Sequence, residues 1–260
     1  MYDYNIAQWF LFFVIYCFAG WIWECSYVSV RTKKLTNRGF LIGPYIPIYG
    51  SGAVIILLAA LPVKNNIILV FILGMVAASL LEYFTGLAME AVFKVKYWDY
   101  SDCLLNLKGY ICLKASLMWG FFSVLLINYV HKPVERFVMN INVTAIYVIA
   151  VILAVIMGVD TVVSVKAAVD LKKILQQITE NNEEIKRLQK RLDVFIAVAE
   201  DEKEKLRASI EEKISEGRAI LAQSKTIPRW QIIANPTAKS MHFMEALDQF
   251  RDHIHKIANH

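Results

Sequence analysis

The sequence predicts an all-α fold: a polytopic membrane bundle of about five transmembrane helices, followed by a cytoplasmic, coiled-coil-like helical tail. Three observations predict it. The 260 residues are 57% hydrophobic and only 20% charged, against roughly 45–50% and about 25% in an average globular protein. The charge is unevenly placed: residues 1–165 hold 11 Lys/Arg and 8 Asp/Glu, whereas residues 166–260 hold 17 and 15. Ten of the 11 glycines and five of the six tryptophans precede that break. Apolar runs of this length are buried only by a bilayer, which excludes a single soluble domain. The same hydrophobicity excludes disorder in the first part. The net charge of +5 divides almost evenly between the two parts and gives no footing for nucleic-acid binding. The lipid bilayer is therefore the first partner implied, and the organisation reads as 1–165 membrane domain, 166–227 charged helix or hairpin, and 228–260 short amphipathic helix.

The first span is placed at about 7–29. The N-terminus has no basic region and no small-residue cleavage site, so the span is expected to persist as a helix. The second, about 45–62, starts within Gly-Pro-Tyr-Ile-Pro-Ile-Tyr-Gly-Ser-Gly at 43–52. Pro44 and Pro47 remove donors, and Gly43, Gly50 and Gly52 loosen the chain, so a regular helix is not expected to begin there. Irregular backbone at membrane depth survives only where protein or a watery cavity satisfies it. This stretch either spans or dips. The third, fourth and fifth spans are placed at about 67–93, 109–130 and 143–165, each near the ~20 residues that cross a bilayer core.

Lysines and arginines orient the bundle. Arg31, Lys33, Lys34 and Arg38 follow the first span, and Lys94, Lys96 and Lys108 follow the third. Only Lys64, Lys132 and Arg136 occupy the opposite loops. Five spans then put the N-terminus outside and the tail in the cytoplasm of a multi-pass cell-membrane protein. A re-entrant second segment would make four and bring the N-terminus inside. Cys17, Cys25, Cys103 and Cys112 form no C-x-x-C pair and read as reduced thiols.

The tail carries a heptad series, Leu171, Ile178, Ile185, Leu192, Ala199 and Leu206, with Ile174, Asn181, Leu188, Phe195 and Glu202. That stripe supports a coiled coil, either as one helix or as a hairpin turning near 199–203. Residues 166–225 are thus the surface for a homo-oligomer or protein partner. After Pro228, Asn235-Pro236-Thr237 reads as a helix start. Met241, Met244, Leu247, Phe250, Ile254 and Ile257 follow as a packing stripe. His253 and His255 point apart on a helix, and no metal or cofactor is expected.

Ionisable residues inside the spans carry the functional signal, because a carboxylate at a helix centre costs about 2.5–3.5 kcal/mol on insertion scales. Glu82 lies 12 residues before Lys94, roughly 18 Å along a helix and near the midplane. Glu90 falls on about the same face. Glu24 lies towards the inner end of the first span and Asp160 reads as reaching water. Arg38, Lys94 and Lys96 are the available counter-charges, and Arg38 could meet Glu24 or Glu90. Two readings stand: a polar cavity opening to the cytoplasm with Glu82 at its base, or an ion-pair network fixing helix register. Asp99 and Asn106 belong to an aromatic, acidic loop that is either an interfacial anchor or the mouth of that cavity.

Several of these pieces form an ordered set. Gly20-Trp21 with Glu24 comes first. Asn37-Arg38-Gly39-Phe40-Leu41 follows, with Gly43-Pro44, Pro47-Ile48-Tyr49-Gly50 and Gly52. Then come Glu82-Tyr83, Thr85-Gly86, Glu90 and Trp98-Asp99-Tyr100-Ser101. Asn106, Gly109, Cys112-Leu113, Ser116 and Trp119-Gly120 close the set. Over residues 5–160 the sequence resembles the ABC-transporter type IV family, the CmpB-like bacterial membrane proteins. One departure is Tyr97-Trp98 as the aromatic pair before the aspartate. The resemblance implies a permease-like component for a small polar or cationic solute. The chain has no G-x-x-x-x-G-K-[ST] loop, so any ATPase would be a separate subunit. Glu24, Asn37, Arg38, Glu82, Glu90, Asp99 and Asn106 are then the candidate solute or proton pathway. A membrane-anchored sensor or scaffold acting through the tail is the alternative. An embedded enzyme ranks third, since no catalytic set, no Ser/His or Cys/His pair, is visible in the spans.

Overall fold

The computed structural model describes residues 4–33, 35–194, 200–223, 230–235 and 237–258. It is 79% helical, without strands among the described residues. The helices are α1 (Ile6–Thr32), α2 (Pro47–Ala60), α3 (Ile67–Phe93), α4 (Leu113–Leu125), α5 (His131–Met139), α6 (Val143–Val194), α7 (Glu200–Gln223), α8 (Trp230–Ala234) and α9 (Met244–Ala258). Asparagines open the first and third: Asn5 forms a reciprocal capping box with Gln8, and Asn66 accepts from the amides of Ile68 and Leu69. Each supplies acceptors for the orphan amides of a helix start.

Among the described residues, four helices are long and apolar enough to cross a membrane: Ile6–Arg31, Ile67–Phe93, Leu113–Met139 and Val143–Arg191. The fourth expected span therefore runs further than 130. A π-helical turn at Leu126–Val130 joins α4 to α5, and Lys132 and Arg136 are helical rather than in a loop. The fifth does not stop at 165 but belongs to one unbroken helix of 52 residues, because no Gly or Pro interrupts residues 159–194.

The second segment is the instructive case. Its apolar helix, Pro47–Val63 with its 3-10 end, is about 25 Å long, short of the ~30 Å core. Contrary to the expectation, Pro47 does not disrupt it. Proline occupies the first turn, where its missing N–H is not needed. Gly50 and Gly52 sit inside the helix for close packing, since a Cβ at Gly50 would run into Cys17 Sγ and the Phe13 carbonyl. Gly39 lies at the tail end, where its carbonyl accepts from Asn235. The Ile46 amide donates to the Cys17 carbonyl at mid-α1 (3.1 Å). Residues 39–46 thus enter as irregular chain to half depth, and α2 completes the passage to the N-terminal end.

That N-terminal half is an apolar core. Phe12, Leu57, Ala60, Val70, Val138 and Ile146 are its most buried members. Without a hydrophobic drive between helices in lipid, small residues allow the close contact that dispersion needs. Accordingly, Gly74 abuts Ser123 and Gly120 abuts Phe71.

The tail is a hairpin. Asn181 Nδ2 donates to the Lys213 carbonyl (3.1 Å), and Lys213 Nζ pairs with Glu184 (3.2 Å), so α6 and α7 run antiparallel. Their connection, with Phe195 and Ala199 of the heptad series, lies outside the described residues, as do Pro228 and Pro236. Asn235 does not start a helix: α8 ends just before it and α9 begins only at Met244. Leu247, Phe250 and Ile254 pack with Leu171, Leu175 and Ile178, whereas Met241 and Met244 are exposed.

Candidate functional site

Two irregular segments build the tail half of the bundle. One is residues 39–46. The other is the 94–112 loop, which turns through positive φ at Lys94, Leu105, Lys108 and Gly109. Asn106 staples it: Nδ2 donates to the Ser101 and Cys103 carbonyls, and Oδ1 accepts from the Gly109 amide. Both segments deliver hydroxyls into the bundle.

Each of the four carboxylates that the helices carry in the tail half receives a phenol. Tyr49 donates to Glu24 (2.6 Å), Tyr100 to Glu82 (3.1 Å), Tyr110 to Glu90 (2.7 Å) and Tyr45 to Asp160 (2.6 Å). A charged acceptor makes such bonds roughly twice as strong as neutral ones. Glu24 also faces Arg38 (3.5 Å), and Glu90 faces Lys96 (3.7 Å). Arg38 thus reaches Glu24, one of its two expected partners. Lys94 terminates α3 instead, and its carbonyl accepts from Ser240. Glu82 differs. It is 6% exposed and receives Trp119 Nε1 (2.9 Å) as well as Tyr100, but no ion pair to it exists among the described residues.

Asp160 is the most heavily bonded. Besides Tyr45 it accepts from the Gly43 amide (2.8 Å), the Ile42 amide (3.1 Å) and Ser164 Oγ (3.0 Å). It ties the irregular segment to α6 rather than reaching water. Of the remaining expected residues, Asn37 accepts from Trp21 Nε1 (2.6 Å) and donates to the Ile42 carbonyl. Pro44 is exposed. Asp99 pairs with Lys239 (2.9 Å) from the tail and accepts from Ser101. Burial pushes its carboxyl up, but the Ser101 and Lys239 bonds outweigh that and hold it below the usual range. Lys239 is raised, first by its hydrogen bond to Asp99.

The structure thus brings Glu24, Arg38, Glu82, Glu90 and Asp99 into one end of the bundle, while Asn37 and Asn106 act on local backbone. The cleft of about 340 Å³ between α1, residues 40–47 and α6 is lined by apolar groups such as Phe10, Phe13 and Met157. None of the carboxylates lies on its wall. Sequence reasoning placed Tyr49 and Tyr100 in the ordered set but gave none of the four phenols a carboxylate partner, nor Asp160 its bonding role, because their partners lie 18 to 115 positions away. It also passed over a cluster at the opposite end. His131, 2% exposed, contacts Tyr16 through Nδ1 (2.9 Å) and Tyr4 through Nε2 (3.3 Å), and Tyr4 donates to Glu135. Its clue was a histidine with glutamate four residues on, at the end of an apolar run.

The family model described as Putative ABC-transporter type IV matches residues 11–165. The chain belongs to this family. The matched stretch holds all four carboxylates, their four phenols, Arg38 and Trp119, and none of the tail. With its four long apolar helices, this family member is a membrane protein. No curated protein and no solved structure matches the chain.

Proposed function

We propose that this type IV family member is a permease-like transport component whose tail-half carboxylates pass a small cation, a cationic polar solute or protons, with the tail on the cytoplasmic side and the N-terminus outside. The observation that carries the reading is Glu82, a buried carboxylate with two hydrogen-bond donors and no counter-charge among the described residues. A carboxylate at this depth is costly unless it is neutralised, so a proton or a passing cation is the natural complement. Glu24 and Glu90, each already partnered by a base, flank it. Asp99 and Asn106 shape the loop that carries Tyr100 to it. An ATPase, if the protein uses one, is a separate subunit.

The test is flux of protons and monovalent cations into vesicles containing the full chain. Glu82→Gln keeps the shape but cannot ionise: its one amide oxygen can accept from Trp119, and its NH2 group can donate to the Tyr100 hydroxyl. It is expected to insert and melt close to the wild type while flux is lost. Wild-type flux in that variant would overturn the proposal. A second reading, a membrane-anchored scaffold acting through the hairpin, is favoured by the length of tail projecting from α6. Removal of residues 166–260 with flux intact would set it aside.

A further inference from the structure

One feature is absorbed neither by the family match nor by transport itself. Residues 230–235 and 237–240 return from the tail and lie against the tail end of the bundle. Gln231, 1% exposed, donates to the Ser164 carbonyl (2.8 Å). Asn235, 4% exposed, donates to the Gly39 carbonyl (3.2 Å). Lys239 exchanges backbone hydrogen bonds with Lys96 (2.7 and 2.9 Å). Ser240 Oγ donates to the Lys94 carbonyl (2.6 Å).

The contacts fall on the groups that serve the carboxylates. Arg38, which faces Glu24, also donates to the Ala234 carbonyl (3.3 Å). Lys96, which faces Glu90, is the residue bridged to Lys239. Asp99, paired with Lys239, adjoins Tyr100, which bonds Glu82. The strap therefore touches the partner, or the neighbour of the partner, of all three glutamates. Behind it, Leu247 and Phe250 of α9 anchor it on α6.

We infer that residues 230–235 and 237–240 form an autoinhibitory strap that holds residues 39–46 and the 94–112 loop shut over Glu82, and that its release admits water to the polar half. The inference rests on reading that half as a pathway, but water access can be measured apart from flux.

The experiment uses two native thiols. Cys112 is buried at the start of α4, at the base of the loop, and Cys17 is buried at mid-α1 beside α2. In the full chain carrying Cys25→Ser and Cys103→Ser, a charged maleimide is applied from both sides of vesicles and labelling at each thiol is timed. Lys239→Glu combined with Asn235→Ala should raise the Cys112 rate about tenfold, as a shift in open population would, with Cys17 unchanged. Lys239→Arg should label like the wild type. Lys96→Cys with Lys239→Cys, oxidised to a disulfide, should slow Cys112 below the wild-type rate, and reductant should restore it. An unchanged Cys112 rate in the double variant overturns the strap, as does an equal rise at Cys17, which would mean general loosening. A strap that opens while vesicles carry no flux would leave this inference standing and remove the transport reading.

Discussion

The two halves of the membrane bundle are held by different forces. Towards the N-terminal end, Phe12, Leu57, Val70, Val138 and Ile146 meet with no charge among them, and the His131 cluster is the polar exception. Towards the tail end, four carboxylates bind four phenols and much of the backbone is irregular. In lipid the first half has only dispersion and shape to hold it. The second half holds its geometry by hydrogen bonds that leave no slack in distance. The difference teaches that packing tolerates loss poorly but is indifferent to pH, whereas the bonded half can be rearranged by a proton or an ion.

Substitutions can break that comparison, and the largest effect belongs to packing. Gly50→Val would force α2 off α1, because its side chain meets backbone oxygen. A loss of about 3 kcal/mol is expected, read as a lower melting temperature in one fixed detergent. A near-normal melt would show that shape does not hold this half. Asp160→Ala ranks next. It strands the part-buried Gly43 amide and the more exposed Ile42 amide; a donor fully buried without a partner costs roughly 1–3 kcal/mol, and a total of about 2 kcal/mol is expected. Its signature is faster proteolysis within 39–46 with α3 unaffected.

Tyr100→Phe should cost less, about 1 kcal/mol, since Trp119 still serves Glu82. A larger loss than that of Gly50→Val would invert the comparison. The smallest effect concerns pH at Asp99. Its carboxyl is held low in the folded protein, so its stabilising contribution is complete above its unfolded value of about 3.9. That contribution is lost as pH falls through the lower folded value. Melting should show no Asp99-dependent change between about pH 7 and pH 5 and an added decline below about pH 4, which Asp99→Asn removes. Persistence of that decline in the variant would assign it elsewhere.

The sequence made the helices legible because bilayer length and composition decide them. Ile67–Phe93 falls where its apolar run lies, and Asn66 marks its start. Pro47 was misjudged for a physical reason: proline breaks a helix interior but suits a first turn, and only the structure says which position it holds. The end of α6 was missed because a change in composition at 165 is a change of solvent, not of conformation. Within the site, Glu24 and Glu82 stood out because charge in an apolar run is conspicuous, and Arg38 as a counter-charge in the loop beside them. The bonding roles of Tyr45, Tyr49, Tyr100 and Tyr110 did not, because tyrosine is ordinary near a membrane surface and its partner is fixed only by folding.

The unbroken course of α6 has a mechanical meaning. A helix that crosses the bilayer and continues through the tail hairpin is a rigid lever with one arm in lipid and the other in water. The arm from residue 165 to residue 194 is about 44 Å long at ~1.5 Å per residue. A rocking of only ~5° about the membrane surface would swing its far end by about 4 Å, more than a hydrogen bond can stretch. Small forces on the hairpin tip are thereby multiplied at Asp160, where the same rod grips Ile42 and Gly43.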